Sequence, residues 1–201
     1  MNARDVFINC PFTDDYTDNF RAIVFTVLRS GFVPRCAREH DDGGEVRYDK
    51  ICRIIGDCAF GIHDISKTEP DAGSGLPRFN MPFELGLFLG ATKFGLKNDR
   101  AKKTMILDRE KYRFQRFLSD IAGQDIHSHD GKRETLIAKV ATWLREHGRQ
   151  VGIPGGAAIA AEFHAFTTLL PSFCKALSLD PAEVTFNDYT AMVANWISPP
   201  S

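Results

Sequence analysis

The chain has 201 residues, a formal net charge of −1 and a pI near 6.6, and 43% of its residues are hydrophobic. This composition is typical of a soluble globule, and the length suffices for one full domain plus a small appendage. A net charge so close to zero creates no field that attracts nucleic acid or an anionic membrane. No apolar run is long enough for a membrane span, and residues 1–5 do not look like a signal peptide. We therefore expect a cytoplasmic protein without a membrane partner.

The cysteines form an odd set without CxxC spacing, and most have apolar neighbours: Cys10, Cys36, Cys52, Cys58 and Cys174. Such a set predicts reduced, structural thiols rather than a zinc site.

Apolar runs typical of buried strands alternate with segments of helical spacing as far as about residue 150. The predicted strands are residues 5–10, 32–36, 58–65, 104–108 and a fifth from 125, and the predicted helices are 20–28, 48–55, 80–90, 112–121 and 136–144. Repeated βα units imply a parallel sheet covered on both faces. The sequence thus predicts an α/β, flavodoxin-like doubly wound domain over residues 1–150, with ligands bound where the strands end.

Residues 151–201 are predicted to be a helical extension that follows a linker at 153–156. Two amphipathic segments, near 159–170 and 189–197, are too short to form a core of their own. The extension is therefore expected to dock on the domain or on a second subunit. We expect a homo-oligomer.

The segment from residue 80 to 90 is an apolar helix with one acid, Glu84. Asn80 can cap its first amides and Pro82 suits its first turn. Glu84 either balances the helix dipole in that turn or forms a semi-buried acid at the mouth of a pocket.

Two glycines, Gly86 and Gly90, lie four residues apart on one face of this helix, and each costs about 1 kcal/mol relative to alanine. They predict a close approach of the helix to the sheet. The phenylalanines of the same stretch, Phe79, Phe83 and Phe88, are expected in the core.

Several familiar sites are missing from the sequence, which contains no GxGxxG after the first strand, no GxxxxGK[ST] and no GxSxG. A Rossmann dehydrogenase, a P-loop NTPase and a hydrolase triad at Ser66 are therefore not expected. The close pair His127 and His129 adjoins a hydrophilic turn and does not predict a metal site. No cofactor is expected.

Three motifs carry a family resemblance. They are a strand that ends in residues 63–66 (HDIS), a helix with Glu84-Leu85-Gly86 and then Gly90, and the strand at 103–107. Over residues 4–147 the chain resembles the nucleoside 2-deoxyribosyltransferase-like superfamily, and its opening at 6–16 is similar to that of TIR-like NAD-cleaving proteins.

The resemblance implies attack on an N-glycosidic bond of NAD, a nucleoside or a nucleotide, with NAD as a substrate and not a cofactor. Glu84 matches the carboxylate that acts as nucleophile or as stabiliser of the sugar cation, and Asp64 matches the acid that holds the base or positions a proton. The bulky residues 80–83 depart from the transferase pattern and leave hydrolysis and transfer both open. The expected substrate contacts, some of them reaching in from other loops, are Ser66, Arg78, Asn80, Phe12, Asp14, Tyr16 and Tyr48.

Two of these residues can also be explained without a part in catalysis or substrate binding. Asp64 can anchor a loop, and Arg78 can bind a phosphate, pair with Glu84 or be solvated. The alternative function is a non-catalytic, nucleotide-sensing or TIR-like interaction module that signals through the helical extension.

Overall fold

A computed structural model describes residues 1–39, 42–71, 73–148 and 152–198. Its central sheet is parallel throughout, with strand order β2-β1-β3-β4-β5. The strands are β1 (Asn2–Asn9), β2 (Val33–Arg35), β3 (Cys58–Asp64), β4 (Lys103–Asp108) and β5 (Ile126–Ser128). This order confirms the predicted doubly wound α/β fold of flavodoxin-like topology.

Helices cover both faces of the sheet. They are α1 (Thr17–Arg29), α2 (Arg47–Asp57), α3 (Asn80–Phe94), α4 (Arg133–His147), α5 (Gly156–Ala176) and α6 (Phe186–Ile197). Helices α1, α4, α5 and α6 pack together on one face, while α2 and α3 pack on the other. None of the helices in the described ranges is both long and apolar enough to cross a membrane.

The alternation of side chains along the strands divides the core between these two layers. Val6 and Ile8 of β1 join the cluster beneath α1, whereas Phe7 joins the cluster beneath α2 and α3. All seven residues of β3 are buried, as expected for a central strand covered on both faces. All five cysteines are free thiols, as predicted.

The C-terminal extension shares the core of the α/β domain. The ring of Phe25 in α1 lies 5.6 Å from those of Phe163 and Phe166 in α5, measured between centroids. Arg29 also donates to Glu162 at 2.5 Å. The extension therefore docks on its own domain. The predicted boundary between residues 150 and 151 lies outside the described residues.

One predicted helix was wrong because of its backbone angles. Residues 112–121 form two 3₁₀ turns, Arg113–Arg116 and Ser119–Ile121, instead of one helix. Tyr112 is left-handed with φ of 60°, and Leu118 has an extended φ of −147°, so a continuous helix cannot form.

The start of α3 also differs from its prediction. Phe79 is the N-cap and provides no side-chain hydrogen bond, so Asn80 is the first helical residue and not a cap. Pro82 lies within the first turn, where its missing N–H costs nothing. Glu84 is the fifth helical residue, beyond the first turn, and the helix dipole therefore does not account for it.

The outward face of α3 is unlike the prediction. Gly86 and Gly90 do not approach the sheet, because a Cβ atom built on either meets no atom within 4 Å. Phe88 is buried as expected, but Phe79 and Phe83 are 66% and 55% exposed. Because α3 is apolar on every side, its sequence does not distinguish the face that meets the core.

Candidate functional site

The cavity with the clearest functional geometry lies where the strand order reverses. From β1 the chain proceeds to β2 on one side and to β3 on the other, so the connections diverge at the carboxyl ends of β1 and β3. In doubly wound sheets this divergence opens a ligand cleft. A cavity of about 430 Å³ occupies this position, lined by the segments that follow β1, β2 and β3 and by the start of α3.

Glu84 brings a carboxyl group into this cavity. It is only 5% exposed, and within the described ranges it has no hydrogen bond or ion pair. Burial raises the pKa of Glu84 from 4.5 to about 7, and the nearby Arg47 opposes the rise. An acid of this kind is populated in both ionisation states near neutral pH, so its carboxylate form can act as a base or a nucleophile and its protonated form as an acid.

Four cations surround the mouth of the cavity: Arg38, Arg47, Lys67 and Arg78. Two are already engaged. The guanidinium of Arg38 lies 4.7 Å from the ring centroid of Phe12 and donates to its carbonyl oxygen at 3.2 Å. Lys67 donates to Asp15 at 2.7 Å. Arg47 and Arg78 are exposed, and neither has a hydrogen bond or ion pair to a described residue.

Asn9, at the end of β1, has a fixed orientation in the cavity wall. Its Nδ2 donates to the carbonyl oxygen of Met81 at 2.8 Å and lies 3.0 Å from Nδ1 of His63. A carbonyl can only accept, so Nδ2 must point this way and Nδ1 must be the acceptor. Burial lowers the pKa of His63 to about 3, which keeps the ring neutral. The free polar atom of Asn9 is therefore Oδ1.

Asp64 belongs to a buried network beside the cavity instead of its lining. Its oxygens accept the hydroxyl of Tyr16 and, at 2.8 Å, the backbone N–H of Ser66. Nε2 of His129 lies 3.2 Å from Asp64 and 2.9 Å from the hydroxyl oxygen of Ser66. This network ties the loop after β1 to the loops after β3 and β5.

The same network leaves Ser66 without a general base. Nδ1 of His129 accepts the backbone N–H of Gly131 at 3.2 Å, so the proton of a neutral ring is on Nε2. Nε2 then donates towards Asp64 and Ser66 and cannot take the hydroxyl proton of Ser66. A nucleophilic serine needs the opposite arrangement.

The predicted site residues therefore separate into three groups. Four of them line the cavity: Phe12, Arg78, Asn80 and Glu84. Three are buried in the adjoining network: Asp64, Ser66 and Tyr16. The remaining two are exposed elsewhere, with Asp14 in the turn before α1 and Tyr48 on α2, where its ring centroid is 6.3 Å from that of Phe83.

Sequence reasoning gave no site role to Asn9, Arg47, Lys67 or His129. The available signal was position, since Asn9 ends β1 and His129 directly follows β5. Parallel strands bring such ends to one edge of the sheet. For Arg47 and Lys67 the sequence offers no comparable signal, because surface loops commonly carry single cations.

Comparisons with known proteins add no family to this picture: no family model, curated protein or solved structure matches the chain. The superfamily resemblance stays a prediction. Among the described residues, no group of three or more His, Cys, Asp or Glu side chains is arranged to hold a metal ion.

Proposed function

We propose that the chain cleaves the N-glycosidic bond of NAD or of a nucleoside or nucleotide, with Glu84 as the reacting carboxylate. The observation that carries the proposal is the unpaired, buried carboxyl group of Glu84 in a cavity at the switch point of the sheet. The superfamily resemblance, which matches Glu84 to the same role, supports it independently.

The chemistry needs few groups. When the C1′–N bond breaks, its electron pair leaves with the base, and positive charge develops on the ribose. A carboxylate fixed beside C1′ stabilises that charge or bonds to C1′, as in glycosidases. Water then adds to C1′ and releases a proton. A cationic nicotinamide departs as a neutral molecule, whereas an uncharged base must also receive a proton.

The cations at the mouth favour a substrate with phosphate groups. Arg47 and Arg78 are both exposed there, and guanidinium groups bind phosphate through paired hydrogen bonds. NAD and nucleotides carry phosphates and nucleosides do not. We therefore propose NAD or a nucleotide as the substrate in preference to a nucleoside.

A non-catalytic, nucleotide-sensing module is the second candidate. The observation that favours it is the engagement of Asp64 by Tyr16 and Ser66, outside the cavity lining. Without Asp64, Glu84 is the one buried acid among the described residues that line the cavity, where the resemblance implies two reacting acids.

Incubation of the protein with NAD, nucleotides and nucleosides, followed by chromatography of the free base, tests both candidates. Glu84→Gln is expected to abolish base release. Glu69→Gln is the matched control, since Glu69 lines the same cavity but is exposed and paired with Arg109. Tight binding without release in the wild-type protein supports the sensing module, and full activity of Glu84→Gln refutes the role of Glu84.

A further inference from the structure

The outward face of α3 is an apolar surface without a partner in the described part of the chain. Phe79, Phe83 and Phe94 are 66%, 55% and 84% exposed, and Gly86 and Gly90 lie between them at helical spacing. Glu84, which faces inward, and Lys93 are the only charged residues of the helix. A helix that is apolar all round is normally covered all round.

We propose that a second copy of the chain covers this face, with the two α3 helices antiparallel about a two-fold axis between residues 86 and 87. In this register Phe83 faces Gly90 of the other copy, and Phe79 faces Phe94. Each of these pairs occurs twice, as an isologous interface requires.

Along the face the order is Phe79, Phe83, Gly86, Gly90 and Phe94, so the antiparallel register sets the large Phe83 against a glycine at two places. A Cβ atom at Gly86 or Gly90 meets nothing within 4 Å, so each glycine leaves an open recess on the surface. The antiparallel register inserts the Phe83 ring of one copy into the Gly90 recess of the other. A parallel pair would instead set Phe83 against Phe83 and Lys93 against Lys93.

The three exposed phenylalanines supply about half of the area that a standard dimer interface uses on each partner. The three phenylalanines alone present roughly 400 Å² of apolar surface, taking about 200 Å² for a fully exposed aromatic residue. A standard interface uses about 800 Å² per partner. Tyr48, which is half exposed and whose ring neighbours that of Phe83, extends the same surface.

The electrostatics of the pairing also agree. In the antiparallel register the two Lys93 side chains lie at opposite ends of the paired helices, so the exposed charges of α3 do not oppose each other. The proposal concerns the back of α3 and does not depend on the reaction in the cavity.

Sedimentation velocity of the full chain over a range of concentrations tests the proposal, with Gly90→Leu as the disrupting variant. Filling the recess should weaken the dimer at least about 30-fold, the effect of losing a well-packed contact at the centre of an interface. The folded monomer has room for the new side chain and gains helix propensity. Its Tm should therefore rise by about 2–4 °C at concentrations where the wild-type protein is monomeric.

Gly56→Leu is the matched control, because Gly56 is also a helical glycine whose Cβ position is open, but it lies on α2. It should leave the dimer intact. A wild-type protein that stays monomeric at every concentration overturns the proposal, whatever else binds this face. A dimer that survives Gly90→Leu overturns it as well.

A second pair of variants tests the register. Phe79→Glu or Phe94→Lys alone should give monomers, because each buries an unpaired charge at the interface. The double variant should dimerise again, since the antiparallel register sets an introduced carboxylate opposite an introduced ammonium group at both ends. Failure of the double variant to recover any association over both single variants refutes this register.

Discussion

Replacing Glu84 with glutamine should stabilise the protein in a pH-dependent way. Burial raises the pKa of Glu84 from 4.5 to about 7, so between these pH values the native state keeps a proton that the unfolded chain releases. The free energy of unfolding of the wild-type protein therefore falls as pH rises through this window. Each pKa unit corresponds to about 1.4 kcal/mol, so the cost above pH 7 is at most about 3.5 kcal/mol.

Glu84→Gln removes this cost. Urea unfolding at one protein concentration should find the variant more stable by about 1–3 kcal/mol at pH 8, with the difference shrinking towards zero near pH 4.5. Glu39→Gln is the control with the opposite sign. Glu39 is also 5% exposed, but its two carboxylate oxygens accept hydrogen bonds from Arg35 at 2.6 and 2.7 Å. Loss of that ion pair should destabilise the fold. A stability difference for Glu84→Gln that is independent of pH would refute the reasoning.

Four other outcomes follow from the site and the fold. Base release should increase with pH up to about 7 if Glu84 reacts as a carboxylate, and a rate that decreases through this pH would make it a proton donor instead. Arg78→Ala should weaken phosphorylated ligands more than nucleosides by about 1.5–3 kcal/mol in titration calorimetry, and equal weakening would mean a structural role. The loop after β3 lines part of the cavity, and we expect it to close over a bound ligand. Hydrogen exchange at residues 67–71 and 73–80 should then slow when an unreactive NAD analogue binds Glu84→Gln. Unchanged exchange at a saturating ligand concentration would show that the loop does not close. Deleting residues 152–201 uncovers Phe25 by removing Phe163 and Phe166, so we expect insolubility, and a soluble, fully active fragment would contradict this.

The sheet could be predicted from the sequence because its strands are continuous apolar runs separated by helical periods. Glu84 could be singled out because it is the only acid in an apolar helix. Asp64 looked like a second candidate because it is an acid at the end of an apolar strand. The difference between them comes from Tyr16 and His129, which are distant in sequence and occupy the oxygens of Asp64 in the fold.

The direction of α3 could not be predicted from its own residues. Periodicity identifies the buried face of a helix only when polar residues mark the opposite face. In α3 the glycines and phenylalanines of the outer face are as apolar as Leu85 and Phe88 on the inner one. The inner face of α3 is determined by its packing against the rest of the chain. The features that remained unexplained in the sequence, Gly86 and Gly90, are those that face outward.

The fixed orientation of the Asn9 amide makes the inner end of the cavity differ from its mouth in hydrogen-bonding character. Both hydrogens of Nδ2 are held by Met81 and His63, so Asn9 offers a ligand only the acceptor Oδ1. An ionised Glu84 offers acceptors as well, whereas the mouth presents the donors of Arg47 and Arg78. A ligand with hydroxyl or amino groups at one end and an anion at the other fits in one direction only, with its donors innermost. The cavity should thus distinguish two molecules of the same size and net charge that differ in the order of their donor and anionic groups.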